Sequence, residues 1–262
     1  MGNVRLGILP QTHRWREVVK LLEGEGSLTE IAKASFEAAL VSFRHIPNDP
    51  GFTEALTEIF KFAESAKTVD FVDRLQVVGF EVGSDASALE LLASLRSRID
   101  NSFRRFSNRT DLQEISVNSF GESLMRQTAA ELPSLLAAPP RTAQEVVRRQ
   151  LTGSRFKGLM HEFYSVFTRR YLAYYLSREL ARHVGGPGSR FRSIDEHTAF
   201  NRAFDTWVRQ SVRIADEFTP GWFAKTSYQE GITRQNVSRY AHVAFKKISG
   251  ELQRGNGHGH GG

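Results

Sequence analysis

The segment Arg155–Val184 interleaves two kinds of side chain that together suit an anionic, aromatic ligand. Arg155, Lys157, Arg169, Arg170, Arg178 and Arg182 supply cations, while Phe156, Phe163, Tyr164, Phe167, Tyr171, Tyr174 and Tyr175 supply rings. Cations neutralise phosphates and aromatic faces stack on bases, which is what a nucleic-acid strand requires. The same spacing also describes an ordinary core helix. Its phenylalanines, Leu176 and Leu180 would then form the buried stripe and its tyrosines the polar margin. Arg178 and Arg182 would oppose the C-terminal dipole.

A second stretch, Phe223–Lys247, carries Gly231-Ile232-Thr233 ahead of Val237 and Tyr240. Glycine for the turn, Ile beneath it, Thr as the cap and Val and Tyr facing the first helix is the rhythm of a helix-turn-helix. Over about twenty residues the segment resembles the recognition half of the bacterial motif. That likeness implies that Arg234, Gln235, Asn236 and Arg239 face DNA, being types that read base edges or hold phosphates. Glu230 departs from the pattern where an apolar residue is expected, and the first helix, read as Trp222–Tyr228, is short. An ordinary capped terminal helix is the competing reading.

Gly185-Gly186-Pro187-Gly188 lies among Arg182, Arg190 and Arg192 and invites a phosphate-loop reading. Such cradles need converging backbone N–H groups, usually after a strand. Here the glycines follow a long helix and Pro187 donates nothing, so a helix stop and corner is expected, with any anion held by the arginines. There is no Gly-x-Ser-x-Gly elbow, no phosphate-binding Gly-x-x-x-x-Gly-Lys loop and no His-Glu-x-x-His. His161-Glu162 begins like the last of these, but Ser165 stands where the second ligand belongs. The adjacent pairs Asp195/Glu196 and Asp216/Glu217 point in different directions on a helix. Asp205, Arg209, Arg213 and Glu217 read as an i,i+4 ladder. Zero cysteines exclude disulfides, thiolate metal sites and a thiol nucleophile. No catalytic residue, metal or cofactor is therefore assigned. An enzyme without a linear signature is the third-ranked reading.

Charge divides the chain. Residues 1–140 hold 15 Lys and Arg against 19 Asp and Glu, and residues 141–262 hold 20 against 10. The basic half calls for an anionic partner, or for the acidic half itself. Arginine outnumbers lysine 27 to 8, which suits phosphate recognition but also follows from GC-rich bacterial coding.

Elements that would position these groups are helical nearly throughout. Ser27/Glu30, Ser87/Glu90, Thr142/Glu145 and Ser193/Glu196 have capping-box spacing. Asp49-Pro50 and Thr219-Pro220 read as proline-led starts. Apolar residues recur every three or four positions, as in Leu28, Ile31, Phe36, Leu40 and Phe43. Only Leu75–Val82 competes as a strand. The expected fold is all-α, a bundle of about nine or ten helices. Pro133, Pro139 and Pro140 mark a boundary between two lobes, an acidic one at 1–138 and a basic one at 139–254. Residues 255–262 read as a disordered Gly/His tail.

With no leader-like or membrane-spanning run, a cytoplasmic protein is expected, engaging no membrane. The leading functional expectation is a non-enzymatic binding protein whose basic half docks nucleic acid through Arg169, Arg170, Tyr174, Arg178, Arg182, Arg190, Arg192, Arg234, Gln235, Asn236 and Arg239. The alternative is an adaptor or structural subunit of a larger bacterial complex, of the kind a defence or mobile-element assembly uses. It would have protein partners or self-associate, with the 19 phenylalanines as interface anchors.

Overall fold

The computed structural model describes residues 13–24, 27–104, 110–131, 138–180 and 193–254. It is all-α, with no strand among the described residues. In chain order the helices are α1 (His13–Glu23), α2 (Leu28–His45), a 3-10 turn (Ile46–Asn48), α3 (Pro50–Ser65), α4 (Phe71–Val77), α5 (Ala88–Arg104) and α6 (Asp111–Ala129). They continue as α7 (Pro140–Gln150), α8 (Gly153–Leu180), α9 (Ile194–Val212), α10 (Ala215–Gln229) and α11 (Arg234–Arg254). Twelve helical elements exceed the nine or ten expected, because one-turn and two-turn pieces are too short to show a period. The Leu75–Val82 run is one such place. It divides between the end of α4 and a turn closed by Phe80 N–H on Leu75 O at 2.9 Å.

Several helix starts follow the local code. Ser27 Oγ accepts from Glu30 N–H while Glu30 accepts from Ser27 N–H at 2.6 Å, and Ser87/Glu90 repeats the arrangement. Ser193 Oγ accepts from Glu196 N–H at 3.2 Å. Asp49 caps α3 through Phe52 N–H at 2.7 Å, with Pro50 supplying the first helical φ. Two starts differ. Thr142 caps nothing, since α7 begins at Pro140 and Glu145 turns to Arg148 at 2.7 Å. Helix α10 begins at Ala215 and runs through Pro220, which there removes a single donor near the helix start. Thr219 instead directs its hydroxyl to Tyr240, 2.7 Å away.

The core is built on α3, of which only Pro50, Glu54, Lys61 and Glu64 are not buried. Helices α5, α6 and α11 pack on it, while α8 receives α6, α7, α9 and α10. Phe60 touches Phe156, Trp222, Phe223 and Tyr240, and Phe245 touches Phe43, Phe52, Tyr164 and Phe167. Aromatic residues on either side of the Pro139-Pro140 junction thus share one apolar cluster. Fifteen of the 19 phenylalanines are buried in it, and none is among the exposed large hydrophobics. These fifteen serve the interior. Among the described residues no helix is long and apolar enough to cross a membrane.

Two helix N-termini meet at the base of this core. Thr110, the cap of α6, accepts from Gln113 N–H and donates to the same Asp49 oxygen that caps α3. The contact is close enough that only the missing side chain of Gly51 permits it.

Candidate functional site

Most of the aromatic and cationic side chains of α8 are already engaged. Phe156, Phe163, Tyr164, Phe167 and Tyr171 are at most 2% exposed, so these rings are core and unavailable for stacking. A helix surrounded by four neighbours buries rings on several faces at once. Arg169 and Arg170 do not face an external anion. Their Nη2 atoms lie 3.3 and 2.6 Å from Glu122 of α6, which also holds Arg126 at 2.5 Å. Burial would raise the Glu122 carboxyl, but the Arg170 hydrogen bond and the fields of Arg126, Arg170 and Arg169 hold it below the usual carboxylate range.

Glu162 is the second centre. It accepts from both Arg209 terminal nitrogens at 2.5 and 2.8 Å and from Arg126 at 3.0 Å. Burial would raise it too, and Arg209 and Arg126 prevail in lowering it. Asp205 faces Arg169 at 3.6 Å, so two of the four residues read as a ladder, Asp205 and Arg209, reach across to α8, while Arg213 and Glu217 fall beyond the end of α9. His161 Nδ1 lies 3.1 Å from Asp216 on α10. Elsewhere Glu131 gathers Arg149 and Arg155, and Glu54 lies 3.8 Å from Arg234. At Glu122, Glu131 and Glu54 a carboxylate from the acidic half meets guanidiniums from the basic half. Long-range pairing, invisible in the sequence, absorbs part of the charge asymmetry.

The α10–α11 corner keeps more of its cations exposed. Glu230 and Gly231 N–H groups both donate to Thr226 O, at 3.0 and 2.9 Å, and Gly231 takes φ of 70°, a left-handed value that a side chain resists. Ile232 is buried beneath the turn, and Val237 and Tyr240 face inward. The Tyr240 ring stacks on Trp222 at 4.2 Å, and its hydroxyl meets Thr219 at 2.7 Å and Tyr164 at 3.1 Å. Burial, acting first, lifts both phenols above their ordinary value. This trio ties α8, α10 and α11 together and fixes the pose of the corner.

Asn236 is bonded within its own turn. Its Oδ1 accepts from Thr233 N–H at 3.0 Å, its N–H donates to Thr233 Oγ1 at 3.3 Å, and its Nδ2 donates to Gly231 O at 2.7 Å. It is 7% exposed and completes a capping box in which Asn replaces the usual Glu. Arg234, Gln235 and Arg239 remain exposed. They and Ser238 form one wall of a groove of about 580 Å³, whose other wall is Pro47, Asn48, Pro50 and Thr53. That second wall was missed at the sequence level. It lies far away in the chain and carries no charged residue to advertise it.

Tyr174 and Arg178 fall on the α8 backbone, with side chains outside the described set, and Arg182, Arg190 and Arg192 lie outside the described residues. So do Gly185–Gly188 and the tail at 255–262. Of the expected site, then, the fold brings Arg234, Gln235 and Arg239 together and diverts Arg169, Arg170 and Asn236 to internal partners. Among the described residues no three His, Asp or Glu side chains gather as a metal site would require. Comparison with protein-family models, with curated proteins and with solved structures finds no match to this chain.

Proposed function

We propose that this chain is a binding protein whose groove at the α10–α11 corner holds an anionic partner, nucleic acid being the class that its charge and residue types suit. The observation that carries the reading is Arg239. It is exposed on the groove wall beside Gln235 and has no carboxylate partner among the described residues. Helix α11 adds Arg234, which Glu54 of α3 partly offsets from 3.8 Å, and farther along Lys246 and Lys247, with Glu251 its one carboxylate. The positive end of its dipole opens on the same groove. Phosphate neutralisation at such a surface releases counterions, so affinity should fall linearly on a log–log plot as salt rises. Fluorescence anisotropy with labelled oligonucleotides tests this. Arg239→Ala should weaken binding for every sequence and reduce the salt slope by about one. Affinity no better than for an uncharged polymer at low salt would end the reading.

One observation favours a second reading, a subunit of a protein complex. Val69, 88% exposed just before α4, lines an open cleft of about 510 Å³. Apolar residues left open next to a concavity are a common mark of protein contact. Light scattering decides it, since a strict monomer that retains no protein partner counts against the idea.

A further inference from the structure

Resting on that reading of the groove, we infer that the partner's phosphates run out of it along α11, over a track made by Arg239, His242 and Lys246. Arg239 belongs to both the groove and the track, whereas His242 and Lys246 lie beyond the groove wall. Helix geometry is the first argument. At 3.6 residues per turn, Gln235, Arg239, His242 and Lys246 fall within a sector of about 60° on one side of α11. All four are exposed or, in the case of Arg239, open on the groove. Val237, Ala241, Ala244, Ile248 and Leu252 occupy the opposite side, and each is fully buried. Packing therefore fixes which face of the helix looks outward, and the four polar side chains share it.

Charge is the second argument. Arg239, His242 and Lys246 have no hydrogen bond or ion pair among the described residues, unlike Arg169 and Arg170, which Glu122 holds. Glu251, the one carboxylate of α11, sits about 150° round the helix from the middle of the sector. Lys247 is adjacent to Lys246 in the chain but about 110° from that middle. Its ammonium lies 5.5 Å from the centre of the Phe218 ring on α10. From Gln235 to Lys246 the face extends about 16 Å along the helix axis. A nucleic-acid strand carries a phosphate about every 3.4 Å of its own axis, so several successive charges fit that length.

Lys246→Ala and Lys247→Ala remove the same charge from neighbouring positions, so comparing them separates a track from an effect of net charge. Anisotropy of a fluorescein-labelled duplex of about twenty base pairs, titrated with the full chain over a range of salt, reads both. Lys246→Ala should weaken binding about five- to tenfold at about 0.1 M salt and reduce the salt slope by about one. Lys247→Ala should leave the slope unchanged. His242→Glu, which sets a carboxylate between two phosphate contacts, should weaken binding at least as much as Lys246→Ala. Because the three side chains are exposed, thermal melting of each variant should stay within about 3 °C of wild type. Equal effects of Lys246→Ala and Lys247→Ala, or no effect of either while Arg239→Ala weakens binding, would leave the groove standing and overturn the track. If wild type binds neither this duplex nor either of its strands, the groove reading itself fails and takes the track with it.

Discussion

Gly51→Ala sets two physical effects of opposite sign against each other. Position 51 is the second residue of α3, where alanine would ordinarily gain about 1 kcal/mol in helix propensity over glycine. The fold forbids that gain. A Cβ there would stand 2.2 Å from Thr110 Oγ1, 3.0 Å from Gln113 Cβ and 3.2 Å from Asp49 Oδ1. Thr110 cannot swing aside freely, being β-branched and bonded at both ends, to Gln113 N–H at 3.1 Å and Asp49 at 2.8 Å. Rotating it forfeits a helix cap, about 1 kcal/mol, and a charge-assisted hydrogen bond, about 1.5–3 kcal/mol. Forcing α3 and α6 apart instead costs about 1–3 kcal/mol of overpacking. The fold takes whichever response costs less, so with the propensity gain subtracted a net loss of about 1–2 kcal/mol is expected, or about 2–8 °C in Tm for a chain of this size. Urea denaturation of wild type, Gly51→Ala, Thr110→Ala and the double variant measures it. Thr110→Ala removes the oxygen that the new methyl would strike, so Gly51→Ala should cost distinctly less in that background. Stabilisation by Gly51→Ala alone would show that the two helix ends are not locked together, and the reasoning would be wrong.

Three further outcomes are expected. Glu122→Gln should cost about 1 kcal/mol: it removes the carboxylate that Arg126, Arg169 and Arg170 share, while Arg126 keeps Glu162 and Arg169 keeps Asp205. Because the folded Glu122 and Glu162 carboxyls titrate below their unfolded value, their contribution is complete above about pH 4.3 and is lost as pH falls through the depressed values. Urea midpoints should therefore fall less on acidification in the Glu122→Gln, Glu162→Gln double variant than in wild type. Tyr240→Phe should destabilise by about 1–3 kcal/mol, since the Thr219 and Tyr164 hydroxyls both lose their partner in the core. Tyr164→Phe breaks one bond and should cost less. The raised phenols add the opposite pH sign: their contribution is complete below about pH 10 and fades above it, and ultraviolet titration of native protein should show two tyrosines resisting ionisation. Asn236→Ala should lower stability by about 1 kcal/mol through its cap, whereas Gln235→Ala, one residue away and exposed, should leave the melting temperature unchanged.

What the sequence by itself determined is what depends on near neighbours in the chain. The capping pairs Ser27/Glu30 and Ser87/Glu90, the left-handed Gly231 and the three-to-four spacing of Leu28, Ile31 and Phe36 need only residues a turn away. Those suffice to specify helix, turn and all-α class. Even locally, tertiary demands prevailed where a second partner existed: Thr219 directs its hydroxyl to Tyr240, 21 residues away. The fate of the long-range charges was decided by tertiary structure. Arg169 and Arg170 carry the same signature in sequence as Arg239, yet Glu122, 47 and 48 residues away, claims the first two. A guanidinium's availability depends on which carboxylate packing brings within about 4 Å, because Coulomb attraction acts through space and not along the chain. The groove is of the same kind, since its two walls come from segments far apart in the chain and exist only once α3 and α11 have packed.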